Sequence, residues 1–90
     1  MGRETVLFRS EEHKTRPEVV GFLRGLADRV EKGEVTFQQG DDSVTVNLPH
    51  NLVLELKVET EDKKGREKRT LEVEIEWYEG DNGDTGVTFG

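Results

Sequence analysis

Between Val19 and Val30 the apolar residues recur at helical spacing, with Val19, Phe22, Leu23, Leu26, Ala27 and Val30 on one stripe and Arg24, Asp28, Glu31 and Lys32 turned away from it. This pattern predicts a helix over about residues 16–32. Its ends are marked by residues that satisfy free backbone groups. Thr15 suits the N-cap, Pro17 the first turn, and Glu18, three residues after Thr15, completes a capping box. Gly33 suits the left-handed conformation that closes a helix. Gly21 and Gly25, inside the helix, each cost about 1 kcal/mol relative to alanine and suggest a close approach to a sheet.

After Gly33 the period changes from 3.6 to 2. Val35 and Phe37 alternate with Thr36 and Gln38, and Val44, Val46 and Leu48 with Thr45 and Asn47. A two-residue turn at Gly40-Asp41 sets Phe37 opposite Val44 and Val35 opposite Val46, so the apolar faces match. Pro49 breaks the pattern, and Leu52, Leu54, Leu56 and Val58 resume it. The last strand is the most regular, with Leu71, Val73, Ile75 and Trp77 facing one way and Glu72, Glu74 and Glu76 the other. Cross-strand partners must share a face, which excludes a three-residue loop between these strands. A four-residue loop, Asp62-Lys63-Lys64-Gly65, has the right parity and ends on glycine. It pairs Leu56 with Leu71, Leu54 with Val73 and Leu52 with Ile75, and on the other face Glu55 with Glu72 and Glu59 with Lys68. Trp77 then projects past the ladder, opposite the Pro49-His50-Asn51 break, as a cap on the core.

Residues 5–9, rich in β-branched and aromatic types, read as a short strand with either Val6 and Phe8 or Leu7 inward. The expected fold is α+β, in the order β-α-β-β-β-β: a mainly antiparallel meander with one helix packed on its apolar face. One domain spans residues 1–79, and residues 80–90, rich in glycine and aspartate, form a flexible tail.

The series TRPEVVGFLRGLADRVEKGEVTF, followed by alternating strands and closed by LEVEIEWYE, resembles the Amphi-Trp domain family of small bacterial and archaeal proteins. The resemblance covers about residues 4–79. Its most specific parts are Phe22-Leu23, Leu26-Ala27-Asp28, Gly33 and Trp77. It implies a fold unit without an assigned activity, and it leaves the tail uncovered.

Charge narrows the partners. Asp and Glu total 20 against 13 Lys and Arg, a formal net charge of −7. Such a surface repels nucleic acid and anionic lipid unless its cations cluster. The one basic group, Lys63, Lys64, Arg66, Lys68 and Arg69, is interspersed with Asp62 and Glu67 and reads as a solvated hairpin tip. No apolar run approaches the ~18 residues of a membrane span. The absence of cysteine removes disulfides, thiolate ligands and a cysteine nucleophile. The N-terminal residues, broken by charge every few positions, do not resemble a signal peptide. A cytoplasmic protein is expected.

Chemistry finds little to hold. Glu72, Glu74 and Glu76 lie on the face expected to be wet, where carboxyls titrate normally and make poor acid-base pairs. His13 and His50 stand in loops without a second histidine at metal spacing, and Ser10 lacks the surroundings of a nucleophile. No phosphate-binding glycine motif occurs. The tail's aspartates do not follow a calcium loop. The sequence therefore predicts no catalytic residue, no cofactor and no metal. Its candidate contact face is Glu55, Glu72, Glu74, Glu76 and Tyr78. The leading expectation is a non-enzymatic domain acting by protein contact or self-association through an open edge strand. The first alternative is an acidic face that binds basic proteins as a nucleic-acid mimic. The second is an enzyme or small-molecule binder with a site between helix and sheet.

Overall fold

A computed structural model describes residues 2–80. The chain falls into two compact units, Met1–Leu48 and Pro49–Gly90. The architecture of the described residues is α+β: one helix followed by four strands, paired antiparallel as two two-stranded sheets.

The first unit begins with helix α1, Arg16–Lys32, and its caps are those the sequence predicts. The Thr15 backbone amide donates to Glu18 Oε1 at 2.8 Å, and the Glu18 amide donates to Thr15 Oγ1 at 3.3 Å. These bonds satisfy two donors that the first helical turn leaves free. The Thr15 amide and, as the smaller cause, the Thr15 hydroxyl, which donates to Glu18 Oε1 at 3.1 Å, hold the Glu18 carboxyl below its ordinary value. Gly33 takes φ 82° and returns its amide to the last turn, where a side chain would be strained. We predict that Thr15→Ala lowers the unit's stability by about 1 kcal/mol, read as a lower urea midpoint at unchanged slope.

Strands β1, Glu34–Gln39, and β2, Asp42–Asn47, form the first hairpin. The register is the predicted one, Val35 opposite Val46 and Phe37 opposite Val44. Gly40 supplies a positive φ of 59° and Asp41 none, the arrangement of a two-residue turn with glycine first. On the outer face the Thr36 and Thr45 hydroxyls meet at 2.8 Å. On the inner face Val35, only 3% exposed, is the one buried residue among those described. Around it Phe37, Val44 and Val46 are half-buried on the ribbon, and Leu26 and Val30 on the helix. The Leu48 amide donates to Gly33 O at 2.8 Å, fixing the end of β2 beside the helix cap.

Three expectations change here. Residues 5–9 form no strand. Strand propensity needs a ladder to act on, and this segment is anchored by a side chain instead: Phe8 stacks on Phe37 with centroids 5.6 Å apart, while Val6 and Leu7 stay exposed. The order is thus α-β-β-β-β. Phe22 and Leu23, on the predicted core stripe, are also exposed. A ribbon of two strands about 5 Å apart is narrower than the apolar stripe of this helix. Finally, a Cβ on Gly21 would meet nothing within 4 Å, and one on Gly25 would meet only the Arg29 guanidinium, so neither glycine serves a close helix-sheet approach.

The second unit is one long hairpin, β3, Val53–Lys63, and β4, Arg66–Glu76. Its turn is Lys64-Gly65, with φ 53° and 77°, rather than the predicted four-residue loop. Positive φ at both central residues matches the right-handed twist of the flanking strands, which makes the shorter turn possible even with lysine in the first place. The register therefore moves by two: Leu54 faces Ile75, Leu56 faces Val73 and Val58 faces Leu71. A shift of two keeps every side chain on its predicted face but changes every partner. Glu55 now lies opposite Glu74, and Lys57 opposite Glu72. Trp77 follows the end of the ladder on one side as Leu52 does on the other, and both are half-buried. Beyond Gly80 the predicted flexible tail lies outside the described residues.

Candidate functional site

Alternation along β3 and β4 gives the hairpin two unlike faces. One carries the aliphatic ladder of Leu54, Leu56, Val58, Leu71, Val73 and Ile75. The other carries the residues the sequence offers as a contact face. Across its open end run the pairs Val53–Glu76, Glu55–Glu74 and Lys57–Glu72.

Three of the five predicted residues come together. Carboxylate oxygens of Glu55, Glu74 and Glu76 lie within 4.8 Å of one another, all three exposed. The Glu74 carboxyl is pushed above its ordinary value, chiefly by a side-chain hydrogen bond with Glu55, then by the charge of Glu55, with Glu76 and Glu72 adding to it. Crowding by like charge disfavours the ionised form, so the Glu74 carboxyl holds its proton more tightly than an isolated glutamate. The sign follows from that. A folded carboxyl that holds its proton more tightly than the unfolded one binds more protons when folded, so the face costs stability as pH rises from the ordinary glutamate value to the raised one, and the cost persists above it. We predict that Glu55→Gln returns the Glu74 titration towards the ordinary value, measured by carbon-detected NMR of the side-chain carboxyls. A Glu74 titration unmoved by the substitution would remove Glu55 as the cause.

Glu72 is drawn elsewhere. Its carboxylate lies 3.3 Å from Lys57 Nζ, which is also 3.8 Å from Glu59. The hydrogen bond with Glu72, then the charges of Glu59 and Glu72, raise the lysine above its usual range. That stabilisation is complete below the ordinary lysine value and is lost only as pH climbs through the raised one, so it is constant across neutral pH. Lys57 was not among the predicted residues. It could have been found from the two-residue register, which alone sets it opposite Glu72.

Tyr78 does not join the cluster. β4 ends at Glu76, so the alternation that places Tyr78 among the glutamates stops short of it, and it is 85% exposed. Of the residues considered for chemistry, His13, His50 and Ser10 are all exposed, and neither histidine borders the groove described next. Within the first unit, an open groove of ≈ 1050 Å³ lies between residues 6–12, the helix and the β1–β2 ribbon. Its lining is largely apolar, with Arg9, Glu12 and Arg29 as its charged members. Arg29 is committed to the Gly25 carbonyl, at 2.9 Å, and Glu12 lies 3.9 Å from Lys14. Ser10 also lines the groove, beside Glu12. No described helix is long and apolar enough to cross a membrane.

The family model described as the Amphi-Trp domain matches residues 1–89, so the chain belongs to the Amphi-Trp domain family. The match runs past residue 79 and takes in the tail that the sequence resemblance leaves out. No curated protein and no solved structure matches the chain.

Proposed function

We propose that this Amphi-Trp domain acts by protein contact, through sheet extension at its second hairpin, and carries out no chemistry of its own. The observation that supports this reading is the open edge: each strand of the β3–β4 hairpin is eleven residues long and, among the described residues, has a strand neighbour on one side only. A strand of that length presents a row of backbone donors and acceptors that water satisfies less specifically than another strand does. Static light scattering across a concentration series, at physiological and at high salt, together with a search for co-purifying protein, tests the reading. Association or a captured partner is expected. A strict monomer with no co-purifying protein would defeat it.

A second reading is favoured by the crowding of Glu55, Glu74 and Glu76, which makes the polar face an anionic surface suited to basic proteins. Binding of that kind weakens steeply with salt and is lost when Glu72, Glu74 and Glu76 become glutamine. Association that is indifferent to salt would exclude it.

A further inference from the structure

We propose that β4 pairs antiparallel with β4 of a second copy of this chain about a two-fold axis at Leu71, giving a two-fold symmetric four-stranded sheet. This deepens the contact reading above and rests on it.

The first ground is the backbone. Lys63 and Arg66 flank the turn, so their pair carries the turn's hydrogen bond, and hydrogen-bonded pairs alternate along the ladder from there. The amides and carbonyls of Arg66, Lys68, Thr70, Glu72, Glu74 and Glu76 thus face β3. Those of Glu67, Arg69, Leu71, Val73 and Ile75 face the open edge. A two-fold at Leu71, the midpoint of β4, sets Leu71 opposite Leu71, Arg69 opposite Val73 and Glu67 opposite Ile75 of the other copy. Every one of these is an outward-facing residue. The register uses the full strand and forms about ten hydrogen bonds between the copies, a number usual for a specific interface.

The second ground is charge. The polar face of β4 is segregated along its length, with Arg66 and Lys68 at one end, Thr70 between, and Glu72, Glu74 and Glu76 at the other. Neither Arg66 nor Lys68 makes an ion pair among the described residues, and neither do Glu74 and Glu76. The two-fold brings the two ends together: Arg66 faces Glu76 and Lys68 faces Glu74 of the other copy, twice each. No like charges oppose across the new ladder on this face. A parallel, in-register pairing would set glutamate on glutamate instead. The edge of β3 offers no such match, since a two-fold at its midpoint, Val58, sets Glu55 opposite Glu61. The crowded Glu55, Glu74 and Glu76 carboxylates, uncompensated in one hairpin, gain two cations from the second copy.

The third ground is shape. A two-fold perpendicular to the sheet keeps both aliphatic ladders on the same side, joined at Leu71, with the Arg69 stem lying across Val73. Because each copy uses its own β4 edge, this contact closes at two, and the outer β3 edges are left with the mismatch of Glu55 on Glu61 described above.

Charge exchange tests this. The chain with Arg66→Glu and Lys68→Glu sets glutamate against Glu76 and Glu74. The chain with Glu74→Lys and Glu76→Lys sets lysine against Arg66 and Lys68. By sedimentation equilibrium each variant alone should dimerise roughly 30-fold more weakly than the unaltered chain. An equimolar mixture of the two should recover a heterodimer, because all four contacts again join opposite charges, two with their original signs and two with signs exchanged; this also guards against misfolding of either variant. Dimerisation of the unaltered chain should weaken with added salt, whereas association through apolar faces alone would strengthen. A dimer that tolerates both exchanges overturns the β4 pairing and leaves the contact reading standing. A chain monomeric at millimolar concentration also overturns the pairing, and the contact reading falls with it only if no protein co-purifies.

Discussion

Val35→Asp should abolish the cooperative unfolding of the helix and first hairpin. Val35 is 3% exposed and is the only buried residue among those described, so the packing of α1 on β1 is centred on it. A carboxylate there would enter a lining shared with Val46, Phe37 and Leu26, in which Arg29 is held by the Gly25 carbonyl, and leaving a buried charge unpaired costs about 3–5 kcal/mol. At roughly 0.05–0.15 kcal/mol per residue, a unit of some 48 residues holds about 2–7 kcal/mol in all. The substitution therefore consumes most or all of it. The helix should go as well, since a 17-residue helix is marginal in water without its packed face. Circular dichroism at 222 nm during a urea titration reads this directly. The exposed neighbour Gln38→Asp should stay within about 0.5 kcal/mol of the unaltered chain. Equal midpoints for the two variants would show that Val35 is not the centre of the unit.

The parts of this fold that were readable in the sequence are those where local chemistry and global pattern agree. Thr15, Glu18 and Gly33 mark the helix because each pairs a backbone group at an end where the helix's own ladder leaves groups free. Gly40-Asp41 gives the first register because glycine is the residue that such a turn asks for in its first place. The second register is two residues away from its expected value for the opposite reason. Lys64 takes φ 53°, a conformation lysine rarely adopts, so turn chemistry argues against the short turn that the strands nevertheless close. Parity could not separate the two solutions, because loops of two and four residues place every side chain on the same face. The candidate face inherits that ambiguity. Its membership was legible from alternation alone, but which glutamate meets which partner depends on register. The crowding of Glu74 with Glu55, and the capture of Glu72 by Lys57, became visible only once the turn was known. Residues 5–9 show the remaining limit, for propensity describes a segment's fitness for a strand without supplying the neighbour it must pair with.

The same turn carries the second large effect. Gly65→Val should cost the β3–β4 hairpin about 2 kcal/mol, because a β-branched residue is held at φ 77°, where its Cβ and the backbone collide. Space is not the obstacle, since a Cβ on Gly65 would meet no other atom within 4 Å; the strain lies in the backbone itself. Lys64→Asn should act in the other direction, by about 0.5–1 kcal/mol, because asparagine tolerates the left-handed region and Asn-Gly is the favoured pair for this turn. Chemical denaturation of the two variants measures the difference. Cross-strand NOEs show where the Gly65→Val loss goes. In the unaltered chain they should link Glu55 with Glu74 and Leu56 with Val73. If valine drives the chain into the four-residue loop, they should move to Glu55 with Glu72 and Leu56 with Leu71, and the Lys57–Glu72 ion pair should be lost with them. Unchanged stability in both variants would mean that the turn does not set the register and that the ladder of side chains does so alone.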